Sequence, residues 1–203
     1  RSRHPSIMSH SVSMSLSMFG TDGVRGTPGI YPLDEYTLAR IGAAIAQALS
    51  SEPVRLLAGR DTRESGPWIE RHLARGVSAV RGTLVSAGVL PTPAIAFLTA
   101  AREFDAGIVI SASHNPFPDN GVKVLTATGE KAPPDLEARI EALVADASWK
   151  LVGQKAAPAE TVDLSDAYVA HVRQVLTGGR LGAWRVAVDC ANGATSVVAA
   201  RVF

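Results

Sequence analysis

The stretch IVISASHNPFPDNG, residues 108–121, decides the fold of this chain. It opens with three consecutive β-branched residues, a pattern typical of a buried strand in a layered α/β sheet. Pro116 and Pro118 cannot continue the strand, because proline has no backbone N–H to donate to a neighbouring strand. The Ser-His-Asn run at residues 113–115 is therefore predicted to lie in a loop at the carboxyl end of a buried strand. Open α/β folds bind their ligands at that position.

The loop leads through a turn into a second predicted strand, residues 122–125, which carries Lys123 among apolar neighbours. A hydroxyl, an imidazole, an amide and a returning lysine are together suited to catalysis, although each alone is typical of a surface loop. A serine hydrolase is disfavoured, because neighbouring side chains at a strand end point in divergent directions. Nucleophile and base usually come from distant parts of a chain, and no G-x-S-x-G motif is present.

The rest of the chain alternates strands with helices, which predicts a mostly parallel sheet with right-handed crossovers. Asp34 is predicted to cap a first helix, whose Ala- and Gly-rich face, including Gly42, would pack on the sheet. Prolines at positions 67, 91 and 133 or 134 suit the first turns of three further helices. The predicted fold class is α/β: a layered αβα domain with a mixed, mostly parallel sheet, plus the truncated start of a second similar domain.

Four segments are expected. Residues 1–17 contain seven serines and read as a disordered extension without function, and residues 18–148 form the first domain. Residues 149–162 read as a linker. Residues 163–203 are expected to be the incomplete start of a second domain, with a strand over 184–189 and a weakly anchored helix from about residue 195.

Composition excludes several classes of protein. The 203 residues are 46% hydrophobic, with 18 glycines and 12 prolines, which fits a soluble, loop-rich globular protein. A formal charge of +1 gives no electrostatic reason to expect a nucleic-acid or membrane partner. No apolar run approaches the roughly 18 residues of a membrane span. The single cysteine, Cys190, excludes an internal disulfide, is expected to be a buried structural thiol, and fits a cytoplasmic location.

Four sequence blocks, in order along the chain, resemble one enzyme family. SASHNP at 111–116 with NGVK at 120–123 resembles the active-site loop of the α-D-phosphohexomutases. FGTDGVRG at 19–26 is similar to the opening strand of one branch, the bacterial phosphoglucosamine mutases. GRDTRESG at 59–66 and VDCANGAT at 188–195 match two further blocks. Four blocks in register are far more specific than one short motif.

The resemblance implies that the hydroxyl of Ser113 carries a phosphoryl group and passes it to a hexose phosphate. Phosphoryl transfer needs an in-line hydroxyl, cationic clamps, a proton acceptor and a divalent cation. Lys123 is the candidate general base, because apolar neighbours favour a neutral amine. The candidate catalytic residues are Ser113, Lys123, His114 and Arg25. The candidate substrate- and phosphate-binding residues are Arg60, Asp61, Arg63 and Asn115.

Structural interpretations of the same residues stay open. From the sequence alone, Arg25 is as consistent with an exposed turn as with a phosphate ligand. Residues 60–63 are equally consistent with a surface salt-bridge cluster, and Lys123 with a lysine that extends from an apolar strand into solvent.

The resemblance also implies Mg²⁺, held partly by a phosphate on Ser113. Family members complete this site with an Asp-Gly-Asp-x-Asp-Arg loop that is absent from these 203 residues, so this chain alone is not expected to turn over substrate. The expected partner is a hexosamine phosphate, with a homodimer possible for the full-length protein. The alternatives are a phosphomannomutase or phosphoglucomutase of the same superfamily, and a non-catalytic module that binds phosphosugars.

Overall fold

The computed structural model describes residues 18–49, 52–151, 159–175 and 185–203. Within these ranges the strands join into one six-stranded sheet with helices on both faces. The strands are β1 (Val24–Gly26), β2 (Arg55–Arg60), β3 (Thr83–Val89), β4 (Ala106–Ile110), β5 (Asn120–Thr126) and β6 (Glu160–Thr161). The helices are α1 (Glu35–Ala48), α2 (Gly66–Ala79), α3 (Thr92–Ala101), α4 (Pro134–Ala145), α5 (Ser165–Val175) and α6 (Ala199–Val202), with a 3₁₀ turn at Ala194–Val197.

The strand order in the sheet is β1-β5-β4-β2-β3-β6. The pairs β4–β2, β2–β3 and β3–β6 are parallel, whereas β5 runs antiparallel to both β4 and β1. The predicted α/β fold with a mixed, mostly parallel sheet is confirmed. Because β2 and β4 are parallel neighbours, the loops that follow them emerge side by side at one edge of the sheet.

Alternate side chains of the central strands enter two separate cores, as the period-two geometry of a strand requires. Leu56 and Ile108 belong to a core with α1, α2 and α4. Leu57 and Val109 belong to a second core with α3 and α5. All four side chains are nearly or fully inaccessible to solvent. The sheet is therefore the middle of three layers and a rigid base for the loops at its edge.

Helix α1 begins as the sequence predicts. The Asp34 carboxylate accepts hydrogen bonds from the backbone N–H groups of Tyr36 and Thr37, at 3.1 and 2.9 Å. The prediction that Gly42 packs on the sheet is wrong. A Cβ added to Gly42 would lie 2.2 Å from the carbonyl oxygen of Leu73 in α2, so this face is in contact with another helix.

Two predictions near the end of the chain are also wrong. In the predicted strand 184–189, residue 184 lies outside the described residues and 185–189 are exposed without strand pairing. No described strand lies beside this segment to accept its backbone hydrogen bonds, which is the physical reason. Cys190 is half-buried rather than buried, because it lines the cleft described below.

The segment after residue 158 packs on the first layers. Strand β6 extends the sheet at β3, and the ring of His171 in α5 stacks on Phe97 in α3 with centroids 3.8 Å apart. The domain boundary at 148 stays a prediction, and the predicted extension 1–17 lies outside the described residues. Among those residues, none of the helices combines the length and apolar character that a membrane crossing requires.

Candidate functional site

A cleft of about 930 Å³ opens where the loops after β2 and β4 meet. Ser113 and Asn115 line it from the loop after β4, and Asp61 and Arg63 line it from the loop after β2. Residues 190–193 contribute another wall. The tertiary structure therefore brings four of the eight candidate residues to one cleft.

Ser113 has an unusual backbone conformation. Its φ angle is 55°, in the left-handed region that a non-glycine residue seldom occupies. Its hydroxyl is exposed and lies 3.4 Å from Nδ1 of His114, at the outer limit of a hydrogen bond. The expectation that the two side chains diverge is wrong, because it assumed extended backbone at Ser113. The hydroxyl and the imidazole can both reach a molecule in solvent.

Arg63 makes more hydrogen bonds than the other candidate side chains of the site. Its Nη1 donates to the carbonyls of Pro116 and Asp119, at 2.7 and 2.9 Å. Its Nη2 donates to the carbonyls of Ser113 and Asn115, both at 2.9 Å. Its Nε donates to the carboxylate of Asp61, at 3.1 Å. All of these acceptors belong to the protein.

Asp61 extends the same network to the other side of Ser113. Its Oδ2 also accepts a 2.6 Å hydrogen bond from the Ser111 hydroxyl. The Ser111 oxygen in turn accepts a 3.0 Å bond from the backbone N–H of Ser113. Ser111 was not among the predicted site residues, although it belongs to the SASHNP block. Its role depends on the position of Asp61, which the block does not contain.

Arg25 and Lys123 meet through Asp22, an acidic residue that the sequence interpretation missed. Arg25 donates to the side-chain oxygen of Asn115 at 2.8 Å and lies 3.4 Å from the Asp22 carboxylate. Lys123 Nζ lies 3.2 Å from the other Asp22 oxygen. The signal for Asp22 was present in the FGTDGVRG block, where it stands three residues before Arg25.

The positive charges of this cluster stabilise the ionised form of Asp22. The hydrogen bond and the positive charge of Lys123 lower the pKa of the Asp22 carboxyl, and Arg25 and Lys131 add smaller effects in the same direction. Lys123 therefore has a carboxylate partner at 3.2 Å, and its role as the general base that the sequence suggested stays a prediction.

Arg60 lies apart from the cleft. Its Nε is 3.8 Å from the carboxylate of Glu70 in α2, which also accepts a 2.8 Å bond from Ser86. Burial raises the pKa of Glu70 despite these partners. The structure does not bring Arg60 to the other candidate residues, and the aliphatic part of its side chain lies beside Gly66 instead.

Two further residues hold the loop and were not predicted. Asn120 is fully buried and donates to the hydroxyl of Ser65 at 2.9 Å. The Asp119 carboxylate accepts a 3.1 Å bond from the side-chain amide of Asn115. Both stand in the quoted stretch, where they read only as turn residues.

Gly23 allows the chain to approach β5 closely just before β1 begins. Its φ is 91°, and a Cβ there would lie 2.3 Å from the carbonyl oxygen of Val122. Gly26, by contrast, ends β1 without a positive φ. Close approach at Gly23 places Arg25 opposite Gly121 on β5.

The described residues do not fit a complete site for a divalent cation. No group of three His, Cys, Asp or Glu side chains comes together among them. The loop carboxylates of Asp61 and Asp119 already accept hydrogen bonds from side chains of the same loops. A phosphate on Ser113 would supply oxygen ligands, but this part of the chain adds no acidic cluster to it.

Comparisons with known proteins identify the family of this fold. Residues 16–150 match the family model "Phosphoglucomutase/phosphomannomutase, alpha/beta/alpha domain I", and the chain belongs to that family. A phosphoglucosamine mutase of Koribacter versatilis is 43% identical over 195 residues, which cover 92% of this chain and 42% of the relative. A phosphoglucosamine mutase of Moorella thermoacetica is 44% identical over 193 residues, covering 92% of this chain and 43% of the relative.

A solved structure supports the same assignment. The crystal structure of a phosphoglucomutase/phosphomannomutase family protein from Burkholderia thailandensis superposes with a TM-score of 0.70 at 25% identity, covering 92% of this chain and 41% of that one. The present chain thus spans about two fifths of the length of the curated relatives it matches.

Proposed function

We propose that this chain is the catalytic-serine part of a phosphoglucosamine mutase, which interconverts glucosamine 6-phosphate and glucosamine 1-phosphate. One observation carries the proposal: the hydroxyl of Ser113 is exposed in a cleft, on a loop whose backbone is held by Arg63 and Ser111. The similarity to curated phosphoglucosamine mutases over 92% of the chain supports the choice of sugar.

The proposed reaction transfers a phosphoryl group twice. The P–O bond of a phosphate on Ser113 breaks as a sugar hydroxyl oxygen bonds to phosphorus, and the proton of that hydroxyl is released. The serine oxygen regains a proton as it leaves. The bisphosphorylated sugar then returns its other phosphate to Ser113 by the reverse chemistry, so that the phosphoserine is restored and the sugar is isomerised.

Several side chains can serve this chemistry. His114 is the titratable side chain in contact with the Ser113 oxygen, and Lys123 is a second candidate for the proton transfers. Arg25, which is tied to Asn115, supplies positive charge beside the loop for the sugar phosphate. Mg²⁺ is the proposed ion, because it favours phosphate oxygens, and its remaining ligands would come from outside the described residues.

Replacement of Ser113 tests the proposal. In the full-length protein, Ser113→Ala is expected to abolish glucosamine phosphate isomerisation, because the oxygen that carries the phosphoryl group is gone. Ser78→Ala, which changes an exposed serine on α2, is the matched control and is expected to keep wild-type activity. Wild-type rates in Ser113→Ala would contradict the proposed mechanism.

Mass spectrometry and a panel of sugars separate the alternatives. Peptide mass spectrometry of the wild-type protein is expected to find a single phosphate on Ser113. A higher kcat/KM for mannose or glucose phosphates than for glucosamine phosphate would favour the other mutases of the family. Binding of the sugar phosphate without turnover, with Ser113 never phosphorylated, would favour a non-catalytic module.

A further inference from the structure

We infer that Arg63 is a positioning residue, which fixes the Ser113 loop in its reactive conformation and does not bind the substrate phosphate. The inference rests on the proposed function, since it concerns the same serine. It reassigns a side chain whose place in the cleft otherwise suggests phosphate binding.

The hydrogen-bond inventory of Arg63 is complete. A guanidinium has five N–H donors, and each of these five has a protein acceptor within 3.1 Å. The side chain is only 12% exposed. A phosphate at Arg63 would have to displace backbone carbonyls of the loop, which would then be left without a donor. This arrangement is typical of a structural clamp.

The four carbonyls that Arg63 binds belong to residues 113, 115, 116 and 119, and thus span the whole loop. The rigid, planar fork of a guanidinium fixes their relative positions. A lysine ammonium has only three donors and no fixed plane, so it cannot hold the same four oxygens. The shape of the loop therefore depends on arginine at this position.

Ser113 is held on both of its peptide groups. Arg63 binds its carbonyl directly, and the Asp61–Ser111 pair, itself bound to Arg63, holds its N–H. The left-handed φ of Ser113 is unfavourable for a residue with a Cβ and persists only where the surroundings enforce it. Arg63 contributes to both restraints, so its loss would release the backbone that aims the nucleophile.

Steady-state kinetics of Arg63→Lys in the full-length protein test this inference. Misplacement of a nucleophile by about 1 Å costs on the order of 100-fold in rate, so kcat is expected to fall about 100-fold. KM for glucosamine phosphate is expected to change less than about threefold, because no substrate contact is lost. Ser111→Ala is also expected to lower kcat, but by a smaller factor than Arg63→Lys.

Arg40→Lys is the matched control. Arg40 is only 5% exposed, and its guanidinium also binds backbone carbonyls, those of residues 143, 144, 146 and 149, at the end of α4. The two substitutions remove the same kind of clamp, but only one clamp holds the Ser113 loop. Arg40→Lys is expected to lower thermal stability while kcat per folded molecule stays at the wild-type value.

Hydrogen exchange gives a readout that is independent of catalysis. Arg63→Lys is expected to speed amide exchange across residues 111–121, and Arg40→Lys is expected to leave that segment unchanged. Should Arg63→Lys not fold, Ser111→Ala in the same assays decides the question.

The outcomes distinguish a failure of the inference from a failure of the proposed function. If the wild-type protein is active, a rise in KM at unchanged kcat in Arg63→Lys would show that Arg63 contacts the substrate. Equal kcat in the two lysine variants would show a purely structural role. If the wild-type protein transfers no phosphate, the proposed function is wrong. The exchange pattern alone then decides whether Arg63 holds the loop.

Discussion

At the scale of single residues, the site is a set of charges whose partners matter as much as their identities. Arg25 and Lys123 come from β1 and β5, and Asp22 binds both of them. The sequence suggested that Lys123 is surrounded by apolar side chains. In the structure its ammonium group instead lies beside a carboxylate. Asp22 therefore holds the two cations next to each other beside the Ser113 loop.

We expect Asp22→Asn to lower kcat/KM for glucosamine phosphate by roughly tenfold. The carboxylate binds Arg25 at 3.4 Å and Lys123 at 3.2 Å, and a neutral amide attracts the two cations far less, so both side chains lose the partner that holds them beside the loop. Steady-state kinetics of the full-length protein at one fixed pH measure the change. Asp166→Asn, which alters an exposed aspartate paired with Arg201 on α6, is the control. A wild-type kcat/KM in Asp22→Asn would exclude this role.

At the scale of elements, the contact between α1 and α2 depends on two glycines. Besides Gly42, Gly76 has no room for a side chain: a Cβ there would lie 1.8 Å from the carbonyl oxygen of Ala39. The helix backbones can approach this closely only because both residues lack a Cβ. Helix α2 begins directly after the loop that carries Arg63, so this contact also supports the site.

Gly76→Ala is expected to lower the free energy of unfolding by roughly 2 kcal/mol. Alanine favours the helical state by about 1 kcal/mol over glycine, but forcing the two helices apart costs more than that gain. Chemical denaturation measures the difference. Gly20→Ala is the matched control, because its nearest neighbour would be 3.6 Å from the added Cβ, and it is expected to change stability by less than about 0.5 kcal/mol. A Gly76→Ala variant as stable as wild type would mean that the helices separate without cost.

At the scale of the whole molecule, the second core joins the later part of the chain to the sheet. Val198, just before α6, is 1% exposed and packs in the core that also contains α3 and α5. Arg201 in α6 reaches back to the hydroxyl of Ser165 at 2.8 Å. The expected weak anchoring of the helix from residue 195 stays a prediction that amide exchange can decide.

Phe97→Ala tests how this core is held together. Loss of the stacked ring pair with His171 is expected to weaken the attachment of α5 by about 1 kcal/mol, the usual energy of an aromatic pair. Hydrogen exchange should therefore become faster in α5 and α6 but not in α1 and α2. Phe117→Ala, which changes a phenylalanine that is 89% exposed, is expected to leave exchange in α5 unaltered. Unchanged protection of α5 in Phe97→Ala would show that the stack does not anchor it.

Local sequence patterns were sufficient for most of the architecture. The β-branched run at 108–110, the Asp34 cap and the proline starts of three helices act within a few residues, so the elements follow from the sequence. The ordered blocks likewise predicted the family, and the β-branched run with Pro116 and Pro118 placed Ser113 in the loop after a buried strand. Prediction from local patterns failed at Gly42 in α1, because no local pattern shows which surface a glycine will contact.

The sequence by itself determined which chemical groups the site contains, and the tertiary structure decided what each one does. Arg60 and Arg63 stand three residues apart in one block and look alike as candidates. Arg60 pairs with Glu70 away from the cleft, whereas Arg63 gives four of its five donors to the loop around Ser113 and the fifth to Asp61. The physical reason is that most of these partners lie on other elements: Glu70 on α2, and the four carbonyls on the loop after β4. The hydrogen bonds that complete the Arg63 guanidinium form only when β2 and β4 lie side by side.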